Sequence, residues 1–67
     1  MALSARNRLR GTVRSITTQG PIAEVVVDVD GNEVAATITS DSVERLGIAE
    51  GDEVTAVVKA SDVMIAT

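Results

Sequence analysis

Phenylalanine, tyrosine, tryptophan, cysteine and histidine are all absent from this sequence. Without an aromatic ring there is no platform on which a base or sugar could stack, and no cage for a quaternary ammonium group. Without cysteine no disulfide can form, and with histidine missing too the usual ligands of a structural zinc are gone. Histidine is also the commonest acid–base catalyst near neutral pH, and no hydroxyl or thiol here has a base arranged beside it in sequence, so no catalytic constellation emerges. Long apolar runs are lacking as well: no eighteen-residue stretch could span a bilayer, and Arg6, Asn7, Arg8 and Arg10 interrupt the first apolar cluster, which excludes a signal-like segment. The expectation is a soluble, cytoplasmic, non-membrane protein that binds and does no chemistry.

What is present is apolar and short. Sixty-seven residues, 45% of them hydrophobic, make one domain, residues 1–67. A chain of that length buries only about 60% of its unfolded surface when it folds alone. With staples excluded, self-association is the remaining route to a sufficient core, and several copies are expected.

Periodicity suggests five short strands. Leu9, Val13 and Ile16 mark a loose first strand, ended by Thr17-Thr18-Gln19-Gly20-Pro21. Ile22–Val29 is rich in β-branched residues and meets Glu33–Thr39 across Asp30-Gly31-Asn32, a tight-hairpin signal. Asp41 followed by Glu44 reads as an N-cap with a capping box, and Val43, Leu46 and Gly47 complete a helix of one or two turns with a glycine stop. After the turn at Glu50-Gly51-Asp52 come Val54–Lys59 and a closing strand over Val63–Ala66. Five strands with one short helix between the third and fourth predict an all-β, five-stranded OB-like Greek-key barrel, the helix plugging one end through Val43 and Leu46.

Charge is divided unevenly. The first twenty residues hold Arg6, Arg8, Arg10 and Arg14 and no carboxylate; the remaining chain holds Arg45, Lys59 and all ten acids, for a net charge of −4. Arg8, Arg10 and Arg14 alternate along one strand, which favours ion pairs with a neighbouring strand or subunit over a binding role. Arg6 differs, because Ser4, Ala5 and Asn7 around it are small or hydrogen-bonding, a set that suits either an oxyanion or a structural contact. Thr39-Ser40-Asp41-Ser42, at the predicted helix start, reads as a cap or as an anion-binding end that Asp41 would oppose. Lys59-Ala60-Ser61 repeats the cation, hydroxyl and small residue of Ser4-Ala5-Arg6. Asp28, Asp30 and Glu33 flank the hairpin as solvated carboxylates and make no compact calcium loop.

The blocks SARN (4–7), ITSDSVERLGIAEGDEV (38–54) and VVKASDVMIAT (57–67) together resemble the molbindins, the small molybdate- and tungstate-binding Mop proteins with a single Mop/TOBE-like domain. The resemblance runs nearly end to end, with no length left for a DNA-binding or nucleotide-binding domain. It implies an OB-fold assembled as a homo-hexamer, a trimer of dimers, that holds molybdate or tungstate between subunits for storage or buffering. It assigns Ser4, Ala5, Arg6, Lys59, Ala60 and Ser61 to one subunit's part of an oxyanion pocket, and Thr39 and Ser42 to the subunit opposite. No metal is coordinated directly and no cofactor is implied; further family sites near the trimer axis find no counterpart in the residue pattern. Two rival readings are an OB-fold nucleic-acid module, disfavoured by the acidic total and the missing aromatics, and an assembly domain whose cations only bridge subunits.

Overall fold

The computed structural model describes residues 6–67. Strands β1 (Asn7–Gln19), β2 (Ile22–Val29) and β3 (Asn32–Thr39) are followed by the helix α1 (Ser40–Leu46), strand β4 (Glu53–Val58) and a single 3₁₀ turn at Ala60–Asp62. All pairings are antiparallel and the spatial order is β3-β2-β1-β4. Read from β4, that is the Greek-key order, in which the fourth strand returns beside the first. The result is an all-β, OB-like fold with one short helix, curled as a half-barrel of four strands.

The predicted fifth strand does not form. Val63–Ala66 has the composition of a strand, but strand geometry needs a partner ladder, and after the 3₁₀ turn residues 63–67 lie outside any strand. Met64 and Ile65 are 92% and 88% exposed.

Strand β1 is longer than its sequence suggests, because it serves two partners in succession. Residues 7–12 pair with β4 and residues 12–19 with β2, Thr12 facing both Asp28 and Glu53. Thirteen residues in a straight strand would span about 40 Å, more than the 33 Å longest dimension of the molecule. The strand therefore bends, at two neighbouring places. At Gly11 a Cβ would stand 2.4 Å from the carbonyl oxygen of Asp28 and 2.8 Å from a Val27 methyl, so only glycine lets β1 cross β2 this closely. At Arg14 the register skips one residue, Val13 facing Val27 and Ser15 facing Val26. The bulge inverts the pleat and explains why Val13 and Ile16, an odd spacing apart, both reach the core. The Val13 backbone is then held by the loop before β4, donating to Asp52 O (2.9 Å) and accepting from Gly51 N (2.8 Å).

The β2–β3 hairpin matches its prediction within one residue. Asp30 and Gly31 both take positive φ, 50° and 87°, the I′ pattern that follows strand twist, and Asp28 Oδ1 accepts from Gly31 N at 2.9 Å. That bond gives Asp28 a structural role in the turn. The β1–β2 turn likewise relies on Gly20, whose φ is +57°.

The helix begins two residues earlier than an Asp41 cap implies, at Ser40, and its cap is Thr39. Strand β3 runs directly into α1, so Thr39 is the last extended residue, and its Oγ1 accepts from Ser42 N at 3.0 Å. Asp41 falls in the first turn, where the dipole favours it, and pairs with Arg45 at 2.7 Å. Gly47, left-handed at φ 65°, stops the helix as predicted.

The buried core is small: Val13, Ala23, Val25 and Val27, with Ile16, Val29, Ile38, Val43, Ile48 and Val54 packed around it. Val43 reaches this cluster as expected of a plug. Leu46 does not; it is 67% exposed and borders an apolar cleft of about 360 Å³ between the β3 and β4 edges, lined also by Val34, Ile38, Val54 and Val58. A barrel of five strands would close this gap.

Candidate functional site

The β1·β4 ladder ends at the pair Asn7–Val58. One step further out, Arg6 and Lys59 stand at the same rim, both exposed. Asn7 fixes this rim: its Nδ2 donates to the Val58 carbonyl at 3.2 Å, across 51 residues of sequence. Sequence reasoning counted Asn7 among the hydrogen-bonding neighbours of Arg6 without placing it in the pocket, and its bond to Val58 is a structural contact. Lys59 is the last extended residue before the 3₁₀ turn, and Ala60 and Ser61 form that turn, which Asp62 N closes on Lys59 O at 2.9 Å. Arg6, Lys59, Ala60 and Ser61 are thus brought to one end of the molecule. Ser4 and Ala5 lie outside the described residues.

Thr39 and Ser42 lie at the other end. Thr39 pairs with Ile22, whose other partner is Gln19, the last residue of β1. The full length of β1 therefore separates this pair from Arg6. The two hydroxyls touch each other, Thr39 Oγ1 to Ser42 Oγ at 2.7 Å. The helix start beside them is tied to the β1–β2 turn, Ser40 Oγ donating to Gly20 O at 2.7 Å and Ser40 N to Pro21 O at 2.8 Å.

The alternating arginines divide. Arg10 pairs with Glu53 on β4, and Arg14 with Glu33 at the start of β3 at 2.6 Å, as the strand-pairing expectation has it. All four side chains are more than half exposed, so each pair adds at most about 1 kcal/mol. Arg8 finds no such partner on a neighbouring strand, which leaves the expected pairing with a second subunit: its β4 neighbour is Val57, and no carboxylate among the described residues lies within 4.0 Å of it. The same holds for Arg6 and Lys59. Three cations consequently share one rim with none of them in a salt bridge among the described residues, the nearest acid along the chain being Asp62 in the 3₁₀ turn. Among the described residues, no three carboxylates come together as a cation site.

A rim of this kind concentrates positive charge and N–H donors beside a serine hydroxyl, with Asn7 and Asp62 as its further polar residues, and that excess of donors suits a fully ionised oxyanion. The opposite end offers hydroxyls without a cation, its one nearby basic residue, Arg45, being engaged by Asp41.

The TOBE domain model matches residues 3–65. Molybdenum-pterin-binding protein 2 of Clostridium pasteurianum is 50% identical over 66 residues, 97% of each chain. Among solved structures, a molybdate-binding protein from Sporomusa ovata superposes with a TM-score of 0.93 at 42% identity, covering 100% of both chains. The cytoplasmic molybdate-binding protein ModG, solved with molybdate bound, gives a TM-score of 0.88 at 42% identity, over 96% of this chain and 46% of that one.

Proposed function

This chain belongs to the TOBE-domain family, with close relatives among the molybdenum-pterin-binding proteins, and from that premise we propose that it binds molybdate reversibly at pockets shared between copies of itself. The observation that carries the reading is the rim just beyond the Asn7–Val58 pair, where Arg6 and Lys59 continue the β1·β4 register and neither has a carboxylate within 4.0 Å among the described residues. Two cations held side by side in an otherwise acidic chain repel each other, and a dianion between them removes that repulsion.

In this reading Arg6 and Lys59 balance the charge of the anion, Ser4 and Ser61 donate hydroxyl hydrogen bonds, and the small side chains of Ala5 and Ala60 leave room for it. Thr39 and Ser42 of a second copy complete the donor set. Their distance from Arg6 within one chain supports a shared pocket, since no single copy can close both halves around one ion. The exposed apolar residues, among them Leu46, Met64 and Ile65, support burial against further copies; a homo-hexamer, arranged as a trimer of dimers, is the assembly proposed.

No bond is made or broken. Molybdate is fully ionised and accepts hydrogen bonds only, so a pocket made mostly of cations and donors favours it over hydrogen phosphate, whose proton needs an acceptor. Tungstate, nearly the same size, fits by the same chemistry, while sulfate is too small to reach all donors at once. Storage or buffering of the anion in the cytoplasm is the role such a reversible, non-enzymatic site serves.

Native mass spectrometry with added molybdate tests the reading directly. The expected spectrum shows an oligomer carrying several anions, and equal sulfate produces little occupancy. An assembled oligomer that takes up no molybdate would leave a purely structural assembly domain as the better description.

A further inference from the structure

The outer row of β1 carries Arg8, Arg10 and Thr12 against Val57, Thr55 and Glu53 of β4. Arg10 is neutralised by Glu53, and Arg14, beyond the bulge, by Glu33. Arg8 is exposed over an apolar neighbour. Two residues back along its own strand is Arg6, and two residues on from Val57 is Lys59. Positions spaced by two on a strand share a face about 7 Å apart, so Arg8 adds its field to that of the two rim cations. Within two positions on its face stand Val57, Thr55, Arg6, Lys59 and the Glu53-paired Arg10, and Arg8 itself makes no salt bridge among the described residues.

We infer that Arg8 is an attracting cation of the rim, which draws a tetrahedral dianion toward the pocket through its charge, without being one of the groups that hold the ion. This inference rests on the anion-binding reading above. A charge acting across about 7 Å of water-exposed surface is strongly screened by salt, whereas a direct hydrogen bond is not. The nature of the group matters little to such a field, so another cation at the same place serves as well.

Isothermal titration of sodium molybdate into the full-length assembled protein separates the cases. At about 10 mM ionic strength Arg8→Gln is expected to bind about fivefold more weakly than wild type, and at about 0.5 M to bind within about 1.5-fold of it. Arg8→Lys is expected to match wild type at both. Ligand-free Arg8→Gln should also melt slightly above wild type at low salt, because one repulsive neighbour of Arg6 and Lys59 has gone. Unchanged binding by Arg8→Gln at low salt overturns the inference, as does a loss that persists at high salt and is not rescued by lysine, which marks a direct ligand. Wild-type protein that takes up no molybdate overturns the functional reading itself; wild-type uptake with an unaltered Arg8→Gln variant overturns this inference alone.

Discussion

The two ends of β1 differ in the groups they present, and the proposed site would use both. At its start, Arg6, Arg8 and Lys59 gather charge with no carboxylate within 4.0 Å among the described residues; at its finish, Thr39 and Ser42 supply hydroxyls beside a helix whose cation is already committed to Asp41. The first end can attract a dianion and the second can orient one. Neither does both, and the strand that joins them keeps them apart. The contrast teaches that electrostatic excess within one chain can be sensible only at the level of several chains.

The harshest way to break the comparison is to straighten the strand between the two ends. Gly11→Val places a branched side chain against the Asp28 carbonyl and two valine methyls, and is expected to cost about 3 kcal/mol or more. In so small a domain that should abolish cooperative thermal unfolding followed by circular dichroism, and a normal melt would show that the crossing at Gly11 tolerates bulk.

Next come the rim cations. Arg6→Ala and Lys59→Ala are each expected to weaken molybdate binding roughly 10- to 100-fold, the usual worth of a charge-assisted contact, with the melting curve little changed. If the halves meet across copies, refolding Arg6→Ala together with Ser42→Ala should restore a fraction of tight sites that neither variant has alone. No recovery in the mixed titration would place both halves in the same chain.

Milder effects are expected at the hydroxyl end, where the two residues can be told apart. Thr39→Ala removes the cap of α1 and should lower stability by about 1 kcal/mol, read by denaturant midpoint. Ser42→Ala leaves the cap acceptor in place and should reduce affinity about tenfold with little change in that midpoint. Equal stability losses in both would assign Ser42 to the helix alone.

The smallest effect sharpens the basic end. Glu53→Gln releases Arg10 from its partner; stability should fall by less than about 1 kcal/mol, and molybdate affinity at low salt should rise by less than about threefold. An unchanged affinity would show that the Arg10–Glu53 pair contributes nothing to the field, and a fall would contradict the expected sign.

Much of this arrangement was legible in the residues. The Asp30-Gly31 turn fixes the β2–β3 register by itself, because both positions need positive φ and the flanking residues are β-branched. Gly47 ends the helix for the same local reason. Failures came where the deciding partner is remote. The strand-breaking composition of Thr17 to Pro21 is overridden up to Gln19 by pairing with β2, and Thr39 takes the cap from Asp41 because β3 delivers the chain to the helix without an intervening loop. Val63–Ala66 has strand propensity but no ladder within its own chain, a fact that no local pattern contains. Of the site, the rim formed by Arg6 with Lys59, Ala60 and Ser61 follows from antiparallel pairing of the first and fourth strands. That Arg8 goes unanswered while Arg10 and Arg14 find acids depends on register across strands far apart in sequence, which alternation alone does not specify.

The open trough between β3 and β4 bears on how this protein behaves at different doses. Among the described residues both flanking strands are sheet edges with no further strand paired to them, and the lining between them is mostly hydrocarbon. In the assembly proposed above, a solitary copy would be the least durable form of the molecule. Its heat resistance should climb as the solution is made more concentrated, by mass action on whatever covers the trough, and a dilute sample should become sticky and short-lived before it unfolds.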